Sequence, residues 1–190
     1  ALTEDYEAIF VRKVGDEASA SLALQAAQER LVVITVEADG ALAAVARLSR
    51  LGDPKVLAET LLLAQGQRLL PTLCPHCRCE ATLDDGERKQ LAAAGLPAQG
   101  FRAPGCEVCQ GRGVGEDKTA IFWSLERSEW LQSAVQRGHR LPELRRRAEE
   151  QGYRGSLAGI EEPLLDGAIS VDEALSCASR RASLSRGGRA

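Results

Sequence analysis

Methionine is absent from all 190 residues, position 1 included. A chain that begins on Ala1 without methionine is expected to be a processed chain or an excised piece. Aromatic residues make up only 4%, so any core must rest on Ala, Leu and Val. No run approaches 18 consecutive apolar residues, which excludes a helical membrane span. The opening ALTEDYEAIF has no basic stretch followed by an apolar one, so it does not read as a secretion signal. Positive charge is not in excess: 24 Lys and Arg against 27 Asp and Glu leave a net charge of −3. That balance argues against broad nucleic-acid binding.

What is present describes a folded protein. Hydrophobic residues make up 44% and charged residues 27%, a globular composition. The length suits one ordinary core, or one core plus a small module. Ala8-Ile9-Phe10-Val11 reads as a buried strand and 17–29 as a helix. Leu31-Val32-Val33-Ile34-Thr35-Val36 is almost continuously apolar and β-branched, the signature of a strand buried on both faces of a parallel sheet. Strand, helix and strand make a βαβ unit. A helix is expected over 40–51, ended by Gly52 in the left-handed conformation. A second is expected from Pro54, capped by Asp53, to Leu70, with Leu57, Leu61, Leu62, Leu69 and Leu70 on its core face.

Composition changes at Pro71. Asp84 and Glu87 form a candidate capping box for a helix at 85–94, with Gly95 as its stop. Gly111 to Gly115 reads as a turn, and Ala120-Ile121-Phe122-Trp123 as a strand. Short helices are expected at 129–137, 142–151, 156–166 and from Ser170 to about 180. The polar stretch 181–190 is expected to be a flexible tail.

Six cysteines are present: Cys74, Cys77, Cys79, Cys106, Cys109 and Cys177. Without a secretion signal a disulfide framework is the weaker reading. Cys74 and Cys77 form one C-x2-C pair, and Cys106 and Cys109 form another after 28 intervening residues. Thiolates bind Zn²⁺ tetrahedrally, and four of them make a closed structural site. The competing reading is a set of reduced buried thiols. A redox C-x-x-C would not need a second pair. His76 is expected to face solvent, and Cys79 to be a bystander thiol rather than an alternative ligand. Cys177 reads as a small apolar residue. The Arg145-Arg146-Arg147 run reads as a solvated helix face.

The flanks of these cysteines resemble a known family. Gln67-Arg68-Leu69-Leu70-Pro71-Thr72-Leu73-Cys74-Pro75-His76-Cys77 is similar to the "QRL…LCPHC" passage of the secretion traffic ATPases. These are the hexameric motors of type II secretion and type IV pilus assembly. Gly105 to Gly113 resembles their "GCxxCxGTGYxGR" passage, and Lys118-Thr119-Ala120-Ile121-Phe122 their "RTGIYE". Gly15-Asp16-Glu17 through Ala27 resembles the helix after the Walker B strand. Val171-Asp172-Glu173-Ala174-Leu175 resembles a segment of the closing helices.

The resemblance implies an α/β fold. It would be a partial RecA-like P-loop NTPase domain with parallel strands (1–71), an inserted four-cysteine zinc module (72–119) and a C-terminal helical subdomain (120–180). It implies structural zinc on Cys74, Cys77, Cys106 and Cys109. It also implies a homo-hexamer in the cytoplasm, peripheral to the inner membrane through platform proteins, with no nucleic acid bound. ATP and Mg²⁺ belong to the intact family protein. Arg68 is the candidate contact to nucleotide or to a neighbouring subunit.

No catalytic residue is expected in this chain. No G-x-x-x-x-G-K-[ST] loop occurs in its 190 residues. Lys13 stands where the family has its Walker B Glu, and Glu37 where it has a histidine. A lysine cannot act as an anionic base and would repel Mg²⁺. The expected role is that of a catalytically degenerate or incomplete ATPase region with a structural or regulatory task. The alternative is a non-enzymatic zinc-ribbon adaptor for protein partners, with a nucleic-acid-binding ribbon third.

Overall fold

The computed structural model describes residues 6–186, and side chains through residue 179. In chain order the elements are β1 (Ala8–Val11), α1 (Glu17–Ala27), β2 (Leu31–Ile34), α2 (Ala41–Leu51), α3 (Pro54–Thr60), β3 (Leu63–Leu73), β4 (Cys79–Glu80), α4 (Asp85–Ala93), β5 (Phe101–Arg102), β6 (Val114–Glu126), α5 (Glu129–Gln136), α6 (Leu141–Glu150), a 3-10 turn at Gly155–Gly159, α7 (Glu161–Leu165) and α8 (Val171–Arg186). The stretch expected as a tail from residue 181 is helical through Arg186, and 187–190 lie outside the described residues. Among the described residues no helix is long and apolar enough to cross a membrane.

Two compact units form. The first holds the chain up to Gly66 together with Ser124–Tyr153. The second holds Gln67–Trp123 together with the chain from Arg154 onward. Each unit thus draws on two separate stretches of the chain. The reason is the pairing of β3 with β6. Leu62 and Arg127 bond at one end of this ribbon, and Cys74 and Gly113 at the other. Each long strand therefore contributes to both units.

In the first unit β1 and β2 pair in parallel, Ala8 opposite Leu31 and Phe10 opposite Val33. The crossover is α1, whose N-cap Asp16 accepts from Ser19 N–H at 2.8 Å in a reciprocal capping box. Ala20, Ala23, Leu24 and Ala26 are its buried residues. The strands are not sealed on both faces as their composition suggested. Phe10 is 63% and Val33 49% exposed, because α1 packs along β2 on one side and the other side stays open among the described residues. Gly52 also differs from expectation: it is extended, with φ −126° and ψ −172°. Its glycine is explained by proximity, since a Cβ there would lie 2.4 Å from Leu24 Cδ1.

The helix expected from Pro54 to Leu70 ends at Thr60. Leu61 turns extended, and residues 63–73 form a strand instead. The leucine spacing suited a helix, but strand pairing with β6 wins. Leu57 and Leu70 are buried, while Leu62 and Leu69 are 58% and 63% exposed. Pro71 is tolerated because a two-stranded ribbon has free edges. Beside this segment α3 packs on α5, and α2 on α5 and α6. Leu131, Ala134, Val135, Leu144 and Ala148 are buried there.

The second unit has its own apolar cluster, including Leu70, Leu83, Leu91, Ile121, Leu157, Ile160, Leu164, Ile169 and Val171. Within it α4 packs on α8. Asp84 and Glu87 form the expected capping box, and Gly95 has φ 67°. Cys177 is buried in the same cluster, as a small apolar residue would be. Leu91→Ala should cost about 2–5 kcal/mol, because the wall of a fully buried site relaxes only in part. Urea titration followed by circular dichroism measures it, and a loss under 1 kcal/mol would contradict this packing.

Candidate metal centre

The two C-x2-C segments are knuckles built by local backbone bonds. In the first, Arg78 N–H donates to Cys74 O at 3.0 Å, and Cys74 N–H donates to Gly113 O at 3.0 Å. In the second, Gly111 N–H donates to Cys106 O at 2.9 Å and Arg112 N–H to Cys109 O at 3.1 Å. The return needs left-handed backbone at Gln110, Gly111 and Gly113. At Gly113 (φ 68°) a Cβ would lie 2.3 Å from Ala103 O, so only glycine fits.

These turns bring together the four cysteines that the spacing singled out. Cys74 and Cys106 sulfurs are 4.0 Å apart, Cys77 and Cys109 3.9 Å, and Cys106 and Cys109 3.8 Å. All four lie within 4.8 Å of one another. A tetrahedral Zn²⁺ with bonds of about 2.3 Å requires sulfurs about 3.8 Å apart. The donor set and the spacing therefore fit that ion. Cys109 accepts from Cys106 N–H at 3.2 Å and Gly113 N–H at 3.3 Å, as a thiolate ligand would.

The sulfurs are not equivalent. The Cys106 backbone N–H, helped by that of Gly113, pulls the Cys109 thiol down to about 6. Burial pushes the Cys77 thiol up to about 12. Cys109 thus gives up its proton more readily than Cys77.

Other residues singled out in the sequence are placed elsewhere. His76 is exposed, and Cys79 is exposed on β4 and outside the cluster. Arg68 Nη1 lies 3.8 Å from the Cys177 sulfur. Arg146 is solvated and pairs with Glu150 at 2.5 Å. Lys13 Nζ pairs with Glu37 at 3.0 Å, with both side chains largely exposed. Lys13 has φ 63°, and its N–H donates to Thr35 Oγ1 at 2.8 Å. The Arg47 guanidinium donates to Glu37 O at 2.8 Å. The bond to Lys13 holds the Glu37 carboxyl below its ordinary range. This pair sits just beyond the carboxyl ends of β1 and β2.

Sequence reasoning missed Arg102. Its guanidinium contacts both Glu87 at 2.6 Å and Asp172 at 2.8 Å. Nothing along the chain pairs residues 70 positions apart.

Comparison with known proteins agrees with the cysteine flanks. The model of the family described as "Type II/IV secretion system protein" matches residues 1–176. The type IV pilus assembly ATPase TfpB of Acinetobacter baylyi is 30% identical over 179 residues, covering 92% of this chain and 30% of that protein. The type II secretion system protein E of Dickeya dadantii is 32% identical over 140 residues, covering 72% of this chain and 28% of that protein. The chain thus spans about three tenths of the length of these relatives. The pilus retraction motor PilT, solved with ADP, superposes with a TM-score of 0.60 at 16% identity, over 92% of this chain and 40% of that one. That likeness is one of fold, an α/β arrangement.

One Zn²⁺ per chain is expected by elemental analysis, and Cys74→Ser or Cys106→Ser should abolish it. Gly113→Ala should weaken retention by straining the knuckle, at an order of 1–3 kcal/mol. Retention should also depend on acidity. The depressed Cys109 favours the folded site fully above its ordinary value of 9.0, and that advantage is gone once the pH falls below about 6. A zinc-indicator titration should show release on acidification, because protons compete with the ion for the thiolates, and full retention at pH 4 would contradict the assignment.

Proposed function

The chain belongs to the type II/IV secretion system protein family, and from that premise we propose that it serves as a region of a secretion or pilus-assembly ATPase. Relatives named as a type IV pilus assembly ATPase and as type II secretion proteins support this reading. In it the intact protein works in the cytoplasm as a homo-hexamer on inner-membrane platform proteins. ATP and Mg²⁺ are its cofactors. The stretch up to residue 71 belongs to the RecA-like domain, 72–119 is the zinc module, and 120–180 closes the protein. Cys74, Cys77, Cys106 and Cys109 hold a structural Zn²⁺, which supplies folding energy and no chemical step.

Within this chain the role is structural or regulatory. The observation that supports it is the Lys13–Glu37 ion pair at 3.0 Å. By the family resemblance these two residues stand at the catalytic carboxylate and histidine positions. Phosphoryl transfer depends on positioning and on neutralising charge with Mg²⁺. An ammonium at this point repels that cation. Glu37 is held ionised by Lys13 and occupied by it, so it is not a free base. The phosphate loop is also missing from these residues. For Arg68, the contact to buried Cys177 supports anchoring of β3 to α8 more than contact with a nucleotide.

The test is phosphate release from Mg²⁺-ATP by the 190-residue chain at high concentration, with and without zinc. Background rates are expected, and Lys13→Glu alone should rescue nothing. Loss of one electrostatic element typically costs about 10²–10³ in rate, and several are missing together. Turnover that survives repurification and disappears in Arg68→Ala or Glu37→Ala would overturn the silent reading.

A further inference from the structure

The start of α8 is wired to the cysteine module. β4 begins two residues after Cys77, and β5 ends four residues before Cys106. They pair antiparallel, Cys79 with Arg102 and Glu80 with Phe101. This short ladder is an arch between the two knuckles. A ladder of two residue pairs does not stand by itself, so its order depends on what holds its ends.

Several connections run from the arch and the first knuckle to the segment entering α8. Phe101 forms a parallel bridge with Ser170. Ser170 Oγ caps α8 by accepting from Glu173 N–H at 3.0 Å. Arg102 grips Asp172 with a fork, Nε to Oδ2 at 3.1 Å and Nη2 to Oδ1 at 2.8 Å. The same Nη2 reaches Glu87 on α4 at 2.6 Å. Arg78, next to Cys77, donates to the carbonyls of Asp166 and Gly167 at 3.4 and 3.3 Å. Leu73 N–H, next to Cys74, donates to Ala168 O at 2.9 Å. The fit is tight, since a Cβ at Gly167 would lie 2.8 Å from the Phe101 ring.

The Arg102 fork is the geometry in which guanidinium and carboxylate bind most strongly. Arg102 is 30% exposed and Asp172 66%, so the guanidinium is partly shielded while the carboxylate end of the fork meets water. Asp172 also lies in the first turn of α8, where a negative charge favours the helix. Arg102 therefore acts where order in α8 begins.

We propose that Arg102 is a positioning residue that makes the docking of α8 depend on metal at the four cysteines. Held on one metal ion, Cys77 and Cys106 would fix both ends of the arch. The fixed arch aims Arg102 at Asp172 and sets Phe101 against Ser170. Without metal the thiols have no common partner, the arch loosens, and the first turn of α8 loses its fork. The closing helix thereby reports whether the module is loaded.

The test is amide hydrogen exchange on the whole chain, zinc-loaded and chelator-stripped, with zinc content read by indicator. In the wild type, stripping should speed exchange in peptides over 168–179 by on the order of tenfold, the effect of losing a charge-assisted bond. Arg102→Ala should keep one zinc per chain yet show the fast α8 exchange while loaded. Arg102→Lys, which keeps charge but not the fork, should fall between. If Arg102→Ala fails to fold, Asp172→Asn removes only the exposed partner and should give the same loaded-state acceleration. The proposal is overturned if stripping leaves 168–179 protected while 72–83 and 101–113 open. It is equally overturned if loaded Arg102→Ala, or loaded Asp172→Asn, protects α8 as the wild type does.

Discussion

Four sulfurs within 4.8 Å of one another close one end of the β3–β6 ribbon. Cys74 directly follows β3, and Cys109 lies five residues before β6 begins. Thiols carry weak hydrogen bonds and modest apolar surface, so contacts among themselves do not hold four of them at this distance. A tetrahedral cation would, and the spacing of the sulfurs fits one. Much of the second unit is organised from this point. The ribbon places Leu70 and Ile121 in the apolar cluster, the arch sits between the knuckles, and α8 begins against the arch.

The carboxyl ends of β1 and β2 present a different physical situation. Lys13 is held with φ 63°, a conformation that L side chains seldom adopt. Strain of this kind costs on the order of 1–3 kcal/mol and persists only where surroundings impose it. The bond from Lys13 N–H to Thr35 Oγ1 and that from Val14 N–H to Thr35 O hold the turn in place. The ion pair with Glu37 is too exposed to contribute much stability. Its consequence is electrostatic: it sets an ammonium beside Glu37 and engages that carboxylate at the strand ends. The pair is the observation on which the proposed structural or regulatory role of this region rests.

The elements that were legible in the sequence have short-range causes. The capping boxes at Asp84 with Glu87 and Ser170 with Glu173 depend on residues three apart, and both caps form. The parallel pairing of β1 with β2 follows from a crossover of the right length between two β-branched runs. Leu61 to Leu70 was misread because leucine spacing suits either period. The deciding partner, β6, lies some 50 residues further along. The openness of the β1–β2 face was likewise hidden, since composition reports what a strand tolerates and not what covers it.

The sequence by itself determined which four cysteines come together as a candidate metal site. Two C-x2-C turns, each shaped by Pro or Gly, can present sulfur pairs with no knowledge of the rest of the chain. It also determined the family, because flanks and spacing agree along most of the length. Only the tertiary structure decided what those residues act on. Arg102 meets Asp172, Arg68 meets Cys177, and Lys13 meets Glu37 across separations of 70, 109 and 24 positions. Local preference is blind to such pairs, because side chains far apart in sequence come within bonding distance only after the strands and helices between them have packed.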